Sequence, residues 1–304
     1  MPEIVAIGEA LFELNQPSDG APFRPGYGGD TSNAMIAAAR SGASAGYFTA
    51  VGADRFGRSL VELWRAEGVD ASRVIVNGAA HTGIYFVTHG PEGHEFSYLR
   101  AGSAASRMTE ADIPSDYIGA ARALHVSGIS QAISSSAADA VFAAIDVARA
   151  HRVAVSYDTN LRLKLWPLKR ATAVIHEAMK SVDIALPGLD DARKLTDLEK
   201  PDAIVDFYLR LGAGVVALTL GKEGALVATP RRRERVASIH VDAIDATGAG
   251  DAFDGAFLAE FLRAGDPFLA ARFANVAAAL STCGYGAVAP LPTRAQTLAA
   301  LAKT

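Results

Sequence analysis

The chain has 304 residues, of which 50% are apolar and 20% are charged, and its formal net charge is −4. A mildly acidic chain lacks the basic surface that a nucleic-acid partner requires, and the lone Cys283 excludes an internal disulfide framework. The first residues run into an apolar strand pattern without a signal peptide, and no apolar run reaches membrane-spanning length. We therefore expect a cytoplasmic protein that has no nucleic-acid or membrane partner.

Short apolar runs of strand type alternate with alanine-rich segments of helical spacing along most of the chain. The predicted strands are Ile4–Ile7, Ala45–Val51, Ala123–Ser127, Val153–Asp158, Val182–Leu186 and Val215–Leu220. The predicted helices between them include Ser32–Arg40, Ser135–Arg149 and Leu168–Met179. This alternation predicts one α/β domain over residues 1–304, with a parallel sheet that is covered on both faces and binds ligands at the carboxyl ends of its strands.

Two stretches interrupt the alternation. Residues 11–29 are poor in helical pattern, and Thr82–His89 and His94–Leu99 are strand-like runs on either side of Gly90 to Gly93 (GPEG). A glycine-rich link between two such runs, with no helix after it, is typical of a β-hairpin. We predict that strands within residues 11–29 and 82–100 pair into a small sheet apart from the main one.

The run Gly28 to Asn33 (GGDTSN) precedes the first predicted helix. Asp30, Thr31 and Ser32 are all suitable residues to cap the start of that helix. Asp30 and Asn33 are equally suitable to bind sugar hydroxyls, since together they accept and donate several hydrogen bonds. The residues alone leave both interpretations open.

The run Asp245 to Phe253 (DATGAGDAF) lies between a predicted strand and a predicted helix. Apolar and polar residues alternate over Glu234 to Asp242, which predicts the strand. Phenylalanines recur every four residues from Phe253 to Phe261 and predict the apolar face of the helix, which Gly265 and Pro267 would end. The glycines therefore lie in a turn that opens a helix.

A turn of this kind presents free backbone N–H groups and the positive end of the helix dipole, which together attract an anion. The predicted anion site is the backbone of Thr247, Gly248, Ala249 and Gly250, whose two glycines allow a phosphate to approach closely. A carboxylate would repel a phosphate, so Asp251 is better explained as a base that takes a proton from an attacking hydroxyl. The alternative is an ordinary glycine turn in which Asp251 stabilises the helix dipole.

The run Asp245 to Phe253 resembles the C-terminal signature of the ribokinase-like (PfkB) carbohydrate kinases, and Gly28 to Asn33 resembles their N-terminal signature. The resemblance implies a three-layer α/β sandwich with a mostly parallel central sheet and a small β-sheet lid over the sugar. It also implies that Gly29, Asp30 and Asn33 bind the sugar, and that the lid contacts a second copy in a homodimer or higher homo-oligomer. A lid excludes water, which protects ATP from hydrolysis.

Three further stretches resemble the branch of the family that phosphorylates 2-keto-3-deoxygluconate: Thr82 to Tyr85, Ser97 to Ser103 and Asp158 to Trp166. The matching positions imply that Tyr85, Tyr98, Arg100 and Arg162 grip an acid sugar. A guanidinium suits this role because it holds a carboxylate through two hydrogen bonds. Taken singly, each arginine would be an ordinary surface or ion-pairing residue and each tyrosine a packing residue of a strand.

The same resemblance also implies residues that contact ATP and a site for a monovalent cation. It implies ATP contacts from Thr219, Gly221 and Gly224 after a predicted strand, and from Asn275 and Ala278 on a predicted helix over Phe273–Gly286. Singly, those glycines would form a plain strand-end turn. The region of Asp245 forms a site for a monovalent cation such as K⁺ in some relatives.

One position departs from the family pattern. Relatives carry an Asn-x-x-Glu motif tied to magnesium, whereas the aligned run here is Gly188 to Asp191 (GLDD). Asp191 can still act on Mg²⁺ through a metal-bound water, because Mg²⁺ keeps several waters.

The sequence thus predicts transfer of the γ-phosphoryl group of MgATP to the primary hydroxyl of an acid sugar, namely 2-keto-3-deoxygluconate. Fructose, ribose or a nucleoside is the alternative acceptor within the family. Two alternatives come from other classes of protein. A catalytically silent sugar or nucleotide sensor would not need Asp251. A dinucleotide-binding oxidoreductase would carry a GxGxxG motif after its first strand, and this sequence has none there.

Overall fold

The computed structural model describes residues 1–16, 18–90 and 93–303. The strands are β1 (Ile4–Ile7), β2 (Leu11–Gln16), β3 (Arg24–Gly28), β4 (Ala45–Phe48), β5 (Ala50–Gly52), β6 (Ile75–Asn77), β7 (Ile84–Gly90), β8 (Gly93–Leu99), β9 (Ala123–Ser127), β10 (Ala154–Asp158), β11 (Ile184–Leu186), β12 (Val215–Thr219), β13 (Ala225–Ala228) and β14 (Arg233–Val236). The helices are α1 (Asp30–Arg40), α2 (Arg55–Ala66), α3 (Ser115–Gly119), α4 (Gly128–Ala132), α5 (Ser135–Ala150), α6 (Leu168–Met179), α7 (Leu189–Thr196), α8 (Pro201–Leu211), α9 (Ala249–Ala264), α10 (Pro267–Ser281) and α11 (Arg294–Leu301).

Eight of the described strands form the main sheet, in the order β14-β13-β12-β11-β10-β9-β1-β4. The strands from β12 to β4 are parallel, and β13 and β14 are added antiparallel at one edge. Strand β1 lies between β4 at the edge of the sheet and β9, since Ile4 is in register with Ala45 on one side and Ala123 on the other. The predicted, mostly parallel sheet is confirmed, and the carboxyl ends of its parallel strands lie at one edge.

The parallel strands are apolar throughout because helices cover both faces of the sheet. In β12, Val215 and Ala217 join the apolar cluster formed with α1, α2, α9 and α10, whereas Val216 and Leu218 join the cluster formed with α5, α6, α7 and α8. No helix in the described part of the chain is long and apolar enough to cross a membrane.

Helix α9 is buried along the predicted phenylalanine stripe, and it also packs closely against α1. Phe253 and Phe257 are almost completely buried, and their rings stack at 5.7 Å. A Cβ on Gly255 would lie 2.0 Å from the carbonyl oxygen of Ala34 in α1, so only glycine allows this close approach. The helix ends where predicted, at Gly265, which has a φ of 72°.

The two stretches that interrupt the alternation form a separate sheet of four strands, in the order β3-β2-β7-β8. Strand β2 pairs antiparallel with β3 and parallel with β7, and β7 and β8 form the predicted hairpin. Pro91 and Glu92, which belong to the predicted link between the two strands, lie outside the described residues. Leu11, Tyr85 and Val87 pack together on one face of this sheet.

The predicted strand over Glu234 to Asp242 is wrong beyond Val236, where β14 ends. The Asn275 side-chain amide of α10 donates to the carbonyl oxygen of Val236 at 2.8 Å and to that of Ala237 at 3.4 Å. Since β14 is an edge strand, no further strand competes for these groups, and α10 draws the chain away from the sheet.

Three other predicted boundaries are also corrected. The predicted strand Ala45–Val51 is two strands, because Thr49 leaves the main sheet to bond Gly8 through its hydroxyl and β5 pairs with β6 instead. Pro267 starts α10 rather than ending α9, since Asp266 caps the new helix and proline is tolerated at its first position. The predicted helix Phe273–Gly286 ends at Ser281, beyond which the Gly286 N–H donates to Asp245.

We predict that Gly255→Ala lowers the free energy of unfolding by about 2 kcal/mol, because the added methyl group forces α9 away from α1. Urea unfolding followed by circular dichroism measures this loss. Gly78→Ala is the matched control: a Cβ there meets no atom within 4 Å, so we expect a change below about 0.5 kcal/mol. Equal unfolding midpoints for the two variants would contradict the close helix contact.

Candidate active site

Acidic side chains gather where the carboxyl ends of β1 and β10 meet the first turns of α1 and α9. Asp30 and Asp254 are buried, whereas Asp158 and Asp251 are half-buried. Direct contacts join these elements: Asn33 of α1 donates to the Asp251 carboxyl at 2.8 Å, and Asn160 donates to Asp30 at 3.3 Å. Residues from separate parts of the chain therefore form one acidic cluster.

The start of α9 has the geometry of an anion site. Gly248 takes the left-handed conformation at the N-cap, with a φ of 76°, and a Cβ there would lie 2.8 Å from the Ala287 side chain. A Cβ on Gly250 would meet no atom within 4 Å, so open space adjoins the backbone at this point. An anion can therefore approach the first turn of α9 closely.

Two of the four predicted N–H donors are used inside the loop itself. The Thr247 N–H donates to Asp245, and the Ala249 N–H donates to the carbonyl oxygen of Ala246. The N–H groups of Gly248 and Gly250 have no acceptor among residues 1–16, 18–90 and 93–303. The donors that the structure leaves for an anion are thus those of the two glycines.

Asp245 fixes this loop to the segment after α10. Its Oδ1 accepts hydrogen bonds from the N–H and the hydroxyl of Thr247, at 2.9 and 2.6 Å, and its Oδ2 accepts one from the Gly286 N–H at 2.9 Å. The Asp245 N–H in turn donates to the carbonyl oxygen of Thr282. Asp245 therefore has an observed role in holding the loop, and its cation role stays a prediction.

Capping does not explain the polar residues at the start of α1. The N-cap is Gly29, with a φ of 114°, and no side chain caps the helix. The Thr31 hydroxyl contacts the Tyr47 hydroxyl, and the Ser32 hydroxyl accepts a hydrogen bond from Trp64. The capping interpretation of Asp30, Thr31 and Ser32 is therefore wrong, because a Cβ at Gly29 would lie 2.5 Å from the carbonyl oxygen of Glu9 and only glycine fits there.

Two buried oxygen atoms at this helix start lack a partner. Asp30 Oδ1 and Asn33 Oδ1 accept no hydrogen bond from any residue that the structure describes. Buried acceptors without a donor are costly, so each of these two oxygen atoms can accept a hydrogen bond from a ligand. A sugar hydroxyl is such a donor.

Arg100 already has a carboxylate partner within the chain. Its Nε donates to Glu9 at 2.7 Å, and the other oxygen of Glu9 accepts a hydrogen bond from the Ser103 hydroxyl at 2.6 Å. Burial raises the pKa of Glu9, and the Arg100 charge lowers it. The structure thus places Arg100 beside the site in an ion pair, not as a free guanidinium.

Tyr85 and Tyr98 are neighbours across β7 and β8, with ring centroids 6.0 Å apart. The Tyr85 hydroxyl is buried and donates to Glu13 of β2, so it is used within the small sheet. Tyr98 is 43% exposed, and the Arg100 guanidinium lies 5.6 Å from its ring centroid. Of the two tyrosines, Tyr98 is the one that is accessible to a ligand.

Arg162 lies exposed beside the acidic cluster. Its Nη1 donates to the carbonyl oxygen of Leu161, and in the described ranges of the chain its guanidinium forms no ion pair. Burial raises the pKa values of four nearby carboxyls, and the positive charge of Arg162 opposes this rise in each: Asp30, Asp158, Asp191 and Asp251. Arg162 therefore faces the site with its guanidinium available.

The ionisation of Asp251 reflects opposing effects. Desolvation raises its pKa well above the ordinary value, and the charges of Asp30 and Asp158 raise it further. The Asn33 amide and the Arg162 charge act in the opposite direction. The two groups that lower the pKa are therefore needed for Asp251 to act as a base near neutral pH.

The predicted nucleotide residues lie at the ends of β12 and β14. Thr219 ends β12 beside Gly188, and Gly221 has a φ of 60° with open space around a Cβ. Gly224 is required by packing, because a Cβ there would lie 2.1 Å from the carbonyl oxygen of Val236. Ala278 is half-buried on α10.

Asn275 and Asp191 both have partners within the chain. The Asn275 side-chain amide donates a hydrogen bond to the carbonyl oxygen of Val236 at the end of β14. Asp191 accepts a hydrogen bond from the Leu161 N–H at 2.8 Å, and burial raises its pKa. Within the described residues, no group of three or more His, Cys, Asp or Glu side chains could hold a metal ion.

The sequence analysis did not assign roles to Glu9, Glu13, Asp158 and Asp254. Glu9 follows β1 closely and Asp158 ends β10, so the rule that ligands bind at carboxyl ends of parallel strands identifies both positions. Asp254 is apparent only once Asp251 is placed, because it lies one helical turn further along α9. No sequence signal pairs Glu13 with Tyr85.

Residues 1–294 match the model of the pfkB family of carbohydrate kinases, and the chain belongs to that family. It is an ATP-dependent sugar kinase, and its predicted ribokinase-like α/β fold is confirmed. It is 36% identical to the 2-dehydro-3-deoxygluconokinase of Thermoproteus tenax, over 98% of this chain and 94% of that protein. It is 32% identical to a probable fructokinase of Arabidopsis thaliana, over 97% of this chain and 95% of that protein. The crystal structure of a PfkB protein from Polaromonas sp. JS666 matches with a TM-score of 0.89 and 32% identity, covering 99% of this chain and 100% of the other.

We predict that Asn33→Ala moves the acid limb of kcat/KM to higher pH by about one unit, because the ionised Asp251 loses a hydrogen-bond donor and its pKa rises. A pH profile of the kinase reaction measures the shift. Ser32→Ala is the control, since the Ser32 hydroxyl bonds Trp64 instead of Asp251. An acid limb that stays in place in Asn33→Ala would contradict the role of this hydrogen bond.

Proposed function

We propose that this kinase transfers the γ-phosphoryl group of ATP to the primary hydroxyl of 2-keto-3-deoxygluconate, giving the 6-phosphate. The observation that carries the acid-sugar proposal is the exposed Arg162, a guanidinium with no ion pair in the described residues, beside buried oxygen atoms of Asp30 and Asn33 that lack donors. Such a pocket offers one partner for a carboxylate and several for hydroxyls. The identity to the Thermoproteus tenax enzyme supports the same substrate.

Each group of residues has one role in the proposed reaction. Asp251 accepts the proton of the attacking hydroxyl, and the N–H groups of Gly248 and Gly250 donate hydrogen bonds to the phosphoryl oxygens as charge develops. Arg162 binds the carboxylate of the sugar and fixes which end of it faces Asp251. Asp30 and Asn33 hold the hydroxyls between these two ends.

The residues present fit a nucleotide that brings its own metal. Open space beside Gly250 and Gly221 accommodates phosphate groups. The chain offers no cluster of metal ligands in the described residues, so Mg²⁺ would be held mainly by the phosphates, with Asp191 acting through water. Bound Mg²⁺ supplies neutralisation of phosphate charge. A monovalent cation such as K⁺ beside Asp245 belongs to the same proposal.

We also propose that the four-stranded sheet is a lid over the sugar and the contact to a second copy. Exposed apolar side chains on and beside it support this role: Phe23 is 42%, Tyr98 is 43% and Leu99 is 57% exposed. A dimer would remove these side chains from water. The cytoplasm, where ATP is supplied, is the proposed location.

A neutral sugar such as fructose is the second candidate substrate, and one observation favours it. The Arg100 guanidinium is neutralised by Glu9, so the pocket holds one free guanidinium instead of the two that the sequence predicts. The match to a probable fructokinase agrees with this alternative.

The test is ADP release with MgATP and a panel of 2-keto-3-deoxygluconate, its galactonate epimer, fructose, ribose and a nucleoside. Turnover restricted to the 2-keto acids is the expected result. Turnover of fructose or ribose instead would overturn the role of Arg162 and keep that of Asp251. Silence across the panel would leave a sugar outside the panel or a sensor, and ATP binding would then be measured.

We predict that Asp251→Asn lowers kcat by about 10²-fold or more, because the variant keeps the shape of the side chain and loses the base. The KM for ATP should stay close to the wild-type value, since the N–H donors of the anion site are backbone groups. Steady-state kinetics with both substrates varied measures each constant. Wild-type turnover in this variant would exclude Asp251 as the base.

We predict that Arg162→Ala raises the KM for the acid sugar by about 10-fold or more and leaves the KM for ATP largely unchanged, because a charge-assisted pair with the carboxylate is lost. Arg58→Ala provides the control, since Arg58 is an exposed arginine of α2. Equal increases in both KM values would argue against a carboxylate partner at this position.

A further inference from the structure

Glu9 is a buried carboxylate at the point where the small sheet joins the main one. It follows β1 and is only 1% exposed. A Cβ on Gly83, the residue before β7, would lie 2.9 Å from Glu9 Oε1, so glycine at this position leaves room for the carboxylate. Ser103, which follows β8, contacts the same oxygen atom. Glu9 therefore reaches the bases of both strands of the β7–β8 hairpin.

Three donors converge on the Glu9 carboxylate. Its Oε2 lies 2.7 Å from Nε and 2.5 Å from Nη2 of Arg100, and its Oε1 accepts a hydrogen bond from the Ser103 hydroxyl at 2.6 Å. The Ser103 oxygen accepts a hydrogen bond from the Ser106 N–H at 3.3 Å, which leaves its own proton for Glu9. An ionised carboxylate only accepts hydrogen bonds, so this arrangement is that of a buried ion pair with a third donor.

The pair fixes the orientation of Arg100 beside the site. The Nε–Nη2 edge of the guanidinium faces Glu9, and Nη1 forms no hydrogen bond with any residue that the structure describes. Glu9 adjoins the start of α1, because a Cβ on Gly29 would lie 2.5 Å from the Glu9 carbonyl oxygen. Burial raises the pKa of Asp30 in that helix, and the charges of Arg162 and Arg100 both oppose this rise. The two arginines differ in one respect: Arg100 is compensated by Glu9, whereas Arg162 has no ion pair in the described residues.

We propose that Glu9 is a positioning residue that sets the charge of the sugar this site accepts, because it holds Arg100 in an ion pair and leaves the substrate carboxylate to Arg162. The proposal rests on the proposed function for the position of the sugar. Without Glu9, two uncompensated guanidinium groups would face one pocket, and Arg100 would lose its counter-charge in a buried place. With Glu9, the two arginines contribute one net positive charge. The site is thereby matched to a sugar that carries a single carboxylate.

The ratio of kcat/KM for 2-keto-3-deoxygluconate to kcat/KM for fructose measures the preference for charge. Glu9→Gln keeps the size of the side chain, and its amide can accept from Arg100 and donate to Ser103, but the negative charge is lost. We expect the ratio to rise by about 10-fold, because Arg100 becomes a second partner for the substrate carboxylate. An unchanged or lower ratio overturns the proposal, since a merely structural role of Glu9 would affect both sugars alike.

The double variant Glu9→Gln/Arg100→Met keeps the proposal falsifiable if the single variant does not fold. Breaking a buried ion pair leaves one charge uncompensated, whereas removing both charges is much less costly. The pair contributes no net charge in wild type, so the double variant should keep the wild-type ratio. A fall of about 10-fold or more would mean that Arg100 already binds the substrate carboxylate in the presence of Glu9, and would overturn the proposal.

Glu67→Gln is the matched control. Glu67 pairs with Arg40 at the end of α1 that is remote from the site, through two hydrogen bonds of 2.8 and 2.7 Å, and both side chains are partly buried. Loss of this charge should leave the ratio unchanged. A rise equal to that in Glu9→Gln would show that the ratio does not report the charge beside the sugar, and would overturn the assignment to Glu9.

Calorimetric dissociation constants of the same two sugars, measured without ATP, separate this proposal from the proposed function. In Glu9→Gln the dissociation constant of the acid sugar should fall by about 10-fold relative to that of fructose, whether or not either sugar is phosphorylated. An enzyme that phosphorylates fructose alone would overturn the proposed substrate, and the shift in Glu9→Gln would still be expected. Equal ratios of the dissociation constants in wild type and Glu9→Gln would overturn the role of Glu9 and leave the proposed substrate intact.

Discussion

The removal of acidic side chains from water at the carboxyl ends of β1 and β10 is the constraint on which the rest of the site depends. A carboxylate in such a place needs a donor, a cation or a proton. The chain supplies the first two: the Asn33 amide donates to Asp251, and Arg100 pairs with Glu9. Asp251, at the start of α9, thereby keeps a hydrogen-bond donor that favours its ionised form.

The same balance of charge bears on the substrate. Arg100 and Arg162 are both close to the acids, but Glu9 neutralises the first and the second has no ion pair in the described residues. An acid sugar would complete the site by giving Arg162 a carboxylate and giving Asp30 a hydroxyl donor. A neutral sugar would satisfy the hydroxyl acceptors alone. The choice between the two therefore depends on the guanidinium that lacks a partner.

Much of the fold follows from the sequence because burial on two faces demands continuous apolar strands, and every predicted parallel strand except Ala45–Val51 agrees with an observed strand within two residues. The DATGAGD run is also identified by the sequence as a turn that opens a helix, with Asp251 in the first turn of that helix. Partners that are distant in the sequence cannot be predicted in this way. No local pattern pairs Arg100 with Glu9. None pairs Asn275 with the end of β14 either, and that contact is the reason why the strand is shorter than predicted. The family resemblance identifies residues that lie near a ligand. It does not show which atoms of those residues are already hydrogen-bonded within the chain.

The most direct test of the account is the ³¹P NMR spectrum of the product formed from MgATP and 2-keto-3-deoxygluconate. The account predicts a phosphate monoester whose signal is split by the two protons of a primary carbon, which requires that the terminal hydroxyl was oriented toward Asp251 by a carboxylate held at Arg162. A phosphate on a secondary hydroxyl, or inorganic phosphate as the sole product, would contradict that orientation and with it the central claim.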